Sequence, residues 1–227
     1  MATQGEPTMD KSESPLVCIH LVGDYGSGKK SLVKRFVHYC FDCEKEFEHD
    51  PQTLDRLALD TLDFKEKITQ IDGVPTKVRL LNYISESPES PRYLQKVARC
   101  AMAAGAAIVF DLTNRKSYER VADHIKFIRD TLSLEKMRGY PIAIVGNKLD
   151  LVLADPNSRR IGIKEAMEFC ESLPGDYIRY FETSAKDGIN VDEPILWIVK
   201  CAQELRRRSL ENRPPESGTT GSYCILC

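Results

Sequence analysis

Residues 16–39 read LVCIHLVGDYGSGKKSLVKRFVHY. Leu16–Val22 is a short apolar run, the pattern of a buried strand. Gly23 to Gly28 is a glycine-rich turn. Beyond it, Leu32, Val33, Phe36 and Tyr39 recur at helical spacing from Lys29 onward. Strand, turn and helix in that order carry the frame G-x-x-x-x-G-K, whose backbone N–H groups and helix N-terminus favour bound phosphate. The candidate phosphate contacts are Gly23, Gly26, Ser27, Gly28, Lys29, Lys30 and Ser31, with Lys29 reaching the outer phosphates. A glycine-rich strand–helix connection without a ligand is the alternative reading.

Downstream the pattern keeps alternating. Asp63–Ile71 and Thr76–Leu81 flank Asp72-Gly73, a hairpin signal. Tyr93–Ala104 reads as a helix and Ala106–Phe110 as a buried strand. Lys116–Leu132 is an amphipathic helix, with Tyr118, Val121, Ile125, Ile128 and Leu132 stepping by three and four. Pro141–Val145 is a further buried strand, Ile163–Leu173 a helix and Tyr177–Phe181 a strand. Val191, Ile195, Ile198, Ala202 and Leu205 line a last helix, with Asn190 or Asp192 as its cap and Pro194 in its first turn. Short connections between buried strands imply parallel pairing with helices on both faces, whereas the tight hairpin must be antiparallel. The predicted fold class is α/β, a doubly wound, mostly parallel six-stranded sheet of P-loop NTPase type with one antiparallel edge strand.

One domain over residues 16–208 accommodates these elements. Residues 1–15 are a polar extension with no apolar core for a secretory signal, and Ala at position 2 excludes N-myristoylation. Residues 41–60 carry seven acids against Lys45 and Arg56 and read as an exposed acidic insertion. Residues 209–227, rich in Pro, Ser, Gly and Thr, read as a flexible tail. The chain of 227 residues holds 32 basic and 34 acidic side chains, so no basic field argues for nucleic acid. The longest apolar run, Cys100 to Phe110, is too short to span a bilayer. Eight cysteines without a signal read as free thiols in a reducing compartment, the C-x-x-C pair Cys40 and Cys43 included.

Two further motifs sit at strand ends. Asn147-Lys148-Leu149-Asp150 follows the strand PIAIVG, and Glu182-Thr183-Ser184-Ala185-Lys186 follows YIRYF. Both motifs look like the base-recognition loops of the Ras superfamily of small GTPases, and that resemblance implies guanine, whose N1–H and exocyclic amine on one edge the Asp150 carboxylate can both accept. Adenine lacks that donor pair, and a site built on such hydrogen bonds rejects the mismatch by about 10⁴ or more. With these two motifs in order behind the glycine loop, and with FDLTNRKSYERV at 110–121, the sequence over roughly residues 16–205 resembles the Ras superfamily of small GTPases, most closely the Rab branch. The resemblance implies that GTP or GDP is the ligand. It implies that Asn147 contacts the other base edge and braces the phosphate loop. Lys148 and Lys186 would lay their stems on the ring faces, and Ser184 and Ala185 would form the second base loop, the Ala185 N–H meeting the guanine oxygen.

The same resemblance marks what is missing. Lys30 stands where the family has a Mg²⁺-binding hydroxyl, and an ammonium has no lone pair to offer a metal. Ser31 comes one residue late, about 100° around the helix. Leu59 falls on the switch threonine, with Thr61 two residues away. Asn82 replaces the carboxylate of the metal shell, Ser85 the glycine that senses the third phosphate, and Glu86 the glutamine that orients water. No residue is therefore assigned as catalytic or as a metal ligand, and a Mg²⁺ cofactor is doubtful. Phosphoryl transfer rests on positioning and charge neutralisation, so hydrolysis is expected to be slow or absent.

The chain ends Cys224-Ile225-Leu226-Cys227, a C-a-a-X pattern. Cys224, and Cys227 by resemblance to doubly prenylated Rabs, are the candidate lipidation sites. Arg206-Arg207-Arg208 is a candidate second membrane signal or simply a solvated helix end. The sequence thus predicts a lipid-anchored guanine-nucleotide-binding protein on the cytoplasmic face of a membrane, with a cytosolic pool. It would recruit effector and regulator proteins in trafficking or signalling. A competent GTPase with unconventional metal-site residues and a nucleotide-free anchored scaffold are the alternatives.

Overall fold

Alternating apolar runs and amphipathic segments become a single mixed sheet with helices on both sides. The structure, a computed structural model, describes residues 14–41, 64–82, 103–132 and 139–211. In chain order the elements are β1 (Leu16–Val22), α1 (Lys29–His38), β2 (Phe64–Ile71), β3 (Val74–Asn82), β4 (Gly105–Asp111), α2 (Arg115–Glu119), α3 (Val121–Thr131), β5 (Ile142–Asn147), α4 (Leu149–Ala154), a 3₁₀ turn (Pro156–Ser158), α5 (Ile163–Ser172), β6 (Ile178–Glu182) and α6 (Asp192–Glu211). The six strands lie in the order β2-β3-β1-β4-β5-β6. Only the β2–β3 pair is antiparallel. Its two-residue turn places Asp72 at φ 48° and Gly73 at φ 83°, the left-handed pair that matches strand twist in a tight hairpin.

Strand alternation splits the interior in two. Val17, Ile19, Leu21, Ala107, Val109, Ala143 and Val145 face α1 and α6, where they meet Leu32, Phe36, Ile195 and Ile198. Ala106, Ile108, Phe110, Ile142 and Ile144 face the other way, onto Val121, Ile125 and Ile128 of α3 and Ala166 and Cys170 of α5. Each fully buried Ile or Phe contributes roughly 1.5–3 kcal/mol by leaving water. Central β4 and β5 are buried along their whole length, because both faces carry helices.

The loops after β1, β4, β5 and β6 leave from the same, carboxyl, edge of the sheet. The strand order turns around at β1, which pairs with β3 on one side and β4 on the other. Crevices at such switch points are where open α/β sheets bind ligands.

Several boundaries differ from the sequence reading. The segment expected as one helix over Lys116–Leu132 is two, interrupted at Arg120 (ψ −7°). Asn114 caps the first piece by accepting from the Lys116 N–H at 3.1 Å. The short helix α4 was not anticipated. Ala103 and Ala104 are not helical but lead into β4, so the helix predicted over 93–104 stops short of them, and its remainder lies outside the described residues. At the C-terminal end α6 runs to Glu211, past the predicted start of the tail at 209. Arg207 bridges Glu204 and Glu211, at 2.9 and 2.6 Å, and holds that last turn together. Asn190 is not in a capping geometry: it sits at φ 53° and donates its amide to the Glu182 carbonyl at 3.1 Å.

Cys18, Cys170 and Cys201 are in no disulfide. Cys40, just past α1, is disulfide-bonded, which corrects the expectation of free thiols there; its partner lies outside the described residues. The N-terminal extension up to residue 13, the acidic insertion beyond residue 41 and the tail beyond 211 are also outside them. Among the described residues no helix is long and apolar enough to cross a membrane.

Candidate functional site

The loop after β1 is built on glycines because nothing larger fits. An ideal Cβ on Gly23 (φ 142°) would lie 2.1 Å from the Val109 carbonyl oxygen, and one on Gly28 (φ 92°) would lie 2.1 Å from Asn147 Nδ2. Gly26 occupies the outer bend. Gly28 precedes α1 with no side-chain cap, so the first N–H groups of the helix remain available to an anion. Lys29 is only 8% exposed and folds back, its Nζ donating to the Gly23 and Asp24 carbonyls at 2.6 Å each. Ser27 is buried, and its Oγ has no hydrogen-bond partner among the described residues. A buried hydroxyl without a partner, beside an ammonium and a bare helix start, suits a phosphate group. Lys30 is exposed and Ser31 half-buried.

The base side is organised by Asn147, 1% exposed at the end of β5. Its Nδ2 donates to the Ser27 carbonyl at 2.9 Å. Its Oδ1 accepts from Thr183 Oγ1 and from the Ala185 N–H, both at 3.2 Å. One amide therefore ties the phosphate loop to the turn after β6. Asp150, in the first turn of α4, accepts from Ser184 Oγ at 2.8 Å through Oδ1. Lys148 sits at φ 67° and pairs with Asp111 Oδ2 at 2.7 Å. The Ala185 N–H expected to meet a base oxygen is thus held by Asn147, and the Lys148 ammonium is anchored at the end of β4. Lys186 is exposed.

Three contacts escaped the sequence reading. The Asp24 carboxylate in the phosphate loop pairs with Arg120 at 3.2 Å and lies 3.3 Å from His124 Nε2. Arg35 of α1 reaches the carbonyls of Ala185 and Lys186. Glu182 accepts two hydrogen bonds from Arg159, at 2.6 and 2.9 Å, and one from Tyr180 at 2.7 Å. Burial raises the Glu182 carboxyl, but the bonds from Arg159 and Tyr180 outweigh it and hold it below the ordinary value of 4.5. Burial, reinforced by Glu182, pushes the Tyr180 phenol well up. Apart from Tyr180, two residues from Glu182, these contacts join residues far apart in the chain, so no local pattern announces them; only the identity of Glu182 within the second base motif was a signal.

The donor set around Asn147, Asp150 and Lys29 fits a guanine nucleotide. Lys30 offers no lone pair where the metal-binding hydroxyl would stand, and among the described residues no group of His, Cys, Asp and Glu could hold a metal ion. Leu59, Thr61, Ser85, Glu86, Cys224 and Cys227 lie outside the described residues, as does the side chain of Asn82.

A family model described as the Ras family matches residues 18–204. The chain is 28% identical to Ras-related protein R-Ras of Mus musculus over 209 residues, covering 91% of this chain and 84% of that protein. It is 27% identical to Ras-related protein R-Ras of Homo sapiens over 209 residues, with the same coverage of 91% and 84%. It is 28% identical to Ras-related protein Rab-8A of Rattus norvegicus over 216 residues, covering 94% and 91%. The similarity falls on R-Ras and Rab-8A alike.

Proposed function

The chain belongs to the Ras family of small GTPases, and from that premise we propose that it binds GTP and GDP but hydrolyses GTP slowly or not at all. The observation that carries this reading is the joint formed by Asn147. It links the phosphate loop at Ser27 to the base turn at Ala185, while Asp150 stands beside it, oriented by Ser184. In this reading the Asp150 carboxylate accepts from guanine N1–H and the exocyclic amine. The Ala185 N–H turns to the base oxygen, and Lys29 exchanges backbone carbonyls for phosphate oxygens.

Lys30 brings a second positive charge next to Lys29 where the family would place metal-bound hydroxyl. It neutralises phosphate without ordering an attacking water, so binding survives better than hydrolysis. Affinity is then weaker, and less dependent on Mg²⁺, than in relatives with the full metal shell. Heat-denaturing the purified protein and identifying the released nucleotide tests the ligand: guanine nucleotide supports the reading, and adenine nucleotide at equal occupancy overturns it. Titrating labelled GDP with Mg²⁺ and then EDTA tests the metal, with weak EDTA sensitivity expected. Single-turnover GTP hydrolysis at the rate of an active family member would favour the competent-enzyme alternative.

The anchoring part of the proposal rests on Cys224 and Cys227. Arg207 and Arg208 pair with Glu204, and Arg207 also with Glu211, so acidic neighbours offset part of the arginine run's charge before an anionic surface. Attachment to the cytoplasmic face of a membrane would then depend on lipid, and one chain alone holds only marginally. Partners would be effectors and regulators that read the nucleotide state, in trafficking or signalling.

A further inference from the structure

We propose that Arg35 is a positioning residue for base binding, a strut from α1 that fixes the turn carrying Ala185; the proposal rests on the guanine reading above. The helix that starts at the phosphate contact Lys29 carries Arg35 six residues on, about 9 Å along its axis. There Nε donates to the Ala185 carbonyl at 2.9 Å and Nη1 to the Tyr39 carbonyl at 3.0 Å, while Nη2 reaches the Lys186 carbonyl. The guanidinium lies against the backbone of Gly188, where an added Cβ would stand 3.7–3.9 Å from Arg35 Cδ, Nε and Cζ. Only a planar fork spans adjacent carbonyls in this way; an ammonium is a single point charge.

Ala185 is thereby gripped on two sides. Asn147 Oδ1 holds its N–H from the sheet side at 3.2 Å, and Arg35 holds its carbonyl from the helix side. Ser184 does not need that strut. Its backbone bridges Ile189 in both directions at 3.0 Å, and its Oγ bonds Asp150 and the Asp187 N–H. Removing Arg35 should therefore loosen the group that meets the base oxygen and leave Asp150, which reads the amine, in place.

The test uses the full chain with Arg35→Ala and Arg35→Lys. Amide exchange should rise over residues 185–188 in Arg35→Ala and stay unchanged at Thr183 and Ser184. GDP release should quicken by roughly tenfold, the scale of a single charge-assisted hydrogen bond, since the arginine's contacts lie at an exposed turn and bear on the base only through Ala185. The preference for GDP over IDP should be preserved, because those bases share the oxygen and differ only in the amine. Arg35→Lys should recover a fraction of the effect. Native protein that binds GDP, with Arg35→Ala releasing it at the native rate, overturns the proposal alone, even if the variant melts earlier. Loss of the GDP-over-IDP preference, or full recovery in Arg35→Lys, also overturns it. Native protein that binds no guanine nucleotide overturns the guanine reading and this proposal together.

Discussion

Gly28 has a positive φ and an amide nitrogen where its side chain would go. Gly28→Ala adds backbone strain and forces Asn147 off the Ser27 carbonyl. The expected result is a loss of about 2–3 kcal/mol of stability and failure to retain GDP, measured by thermal melting and labelled-nucleotide binding. Asp150 supports a second expectation. Asp150→Asn keeps the shape and a bond to Ser184 but turns an acceptor pair into one acceptor and one donor. GDP affinity should fall by about 10²-fold or more, as for a lost charge-assisted pair, and binding of xanthosine diphosphate should rise, since xanthine carries a carbonyl in place of the amine. These positions were legible in the sequence because guanine and phosphate demand particular residue types at strand ends. Arg35 and Asp24 were not, because an arginine on a helix and an acid in a loop are ordinary until the fold brings their partners to them.

At the scale of elements, the interruption between α2 and α3 has a use. Arg120 at the break and His124 one turn later both address Asp24, so the phosphate loop is held by the helix that follows β4 as well as by its own glycines. Asp24→Ala should cost about 1–2 kcal/mol in stability and raise amide exchange over Asp24–Ser27 ahead of the rest of β1 and α1. A close approach elsewhere sets another limit. A Cβ on Gly105 would meet Ile198 Cγ2 at 2.5 Å and the Pro141 carbonyl at 2.8 Å. The apolar runs and helical spacings carried the strands and the long helices into view. The break at Arg120 and the short helix α4 stayed hidden, since hydrophobic period alone does not report a single tightened turn.

Across the whole molecule, the Arg159–Glu182–Tyr180 cluster fastens the last strand to the loop behind α4. Because the Glu182 carboxyl is held below 4.5 in the folded chain, its contribution is present above that value. It is lost as pH falls through the lower folded value. Native protein should therefore lose more thermal stability than Glu182→Gln between about pH 5 and about pH 3, with the curves converging at the acid end; parallel curves would contradict this. The mostly parallel sheet with its antiparallel edge strand, and the placing of the NKLD and ETSAK turns at strand ends, followed from the alternating pattern, whereas the strand order itself did not. The disulfide at Cys40 did not, because connectivity between cysteines is not written in their spacing.

The carboxamide of Asn147 gives these loops a shared mechanical fate. A regulator that pries the surface turn around Ala185 outward also slackens the carbonyl of Ser27, at the far end of the ligand. Ejecting a bound nucleotide would then need no direct assault on its charged end: leverage on an accessible rim, transmitted through one side chain, would unlatch both halves at once.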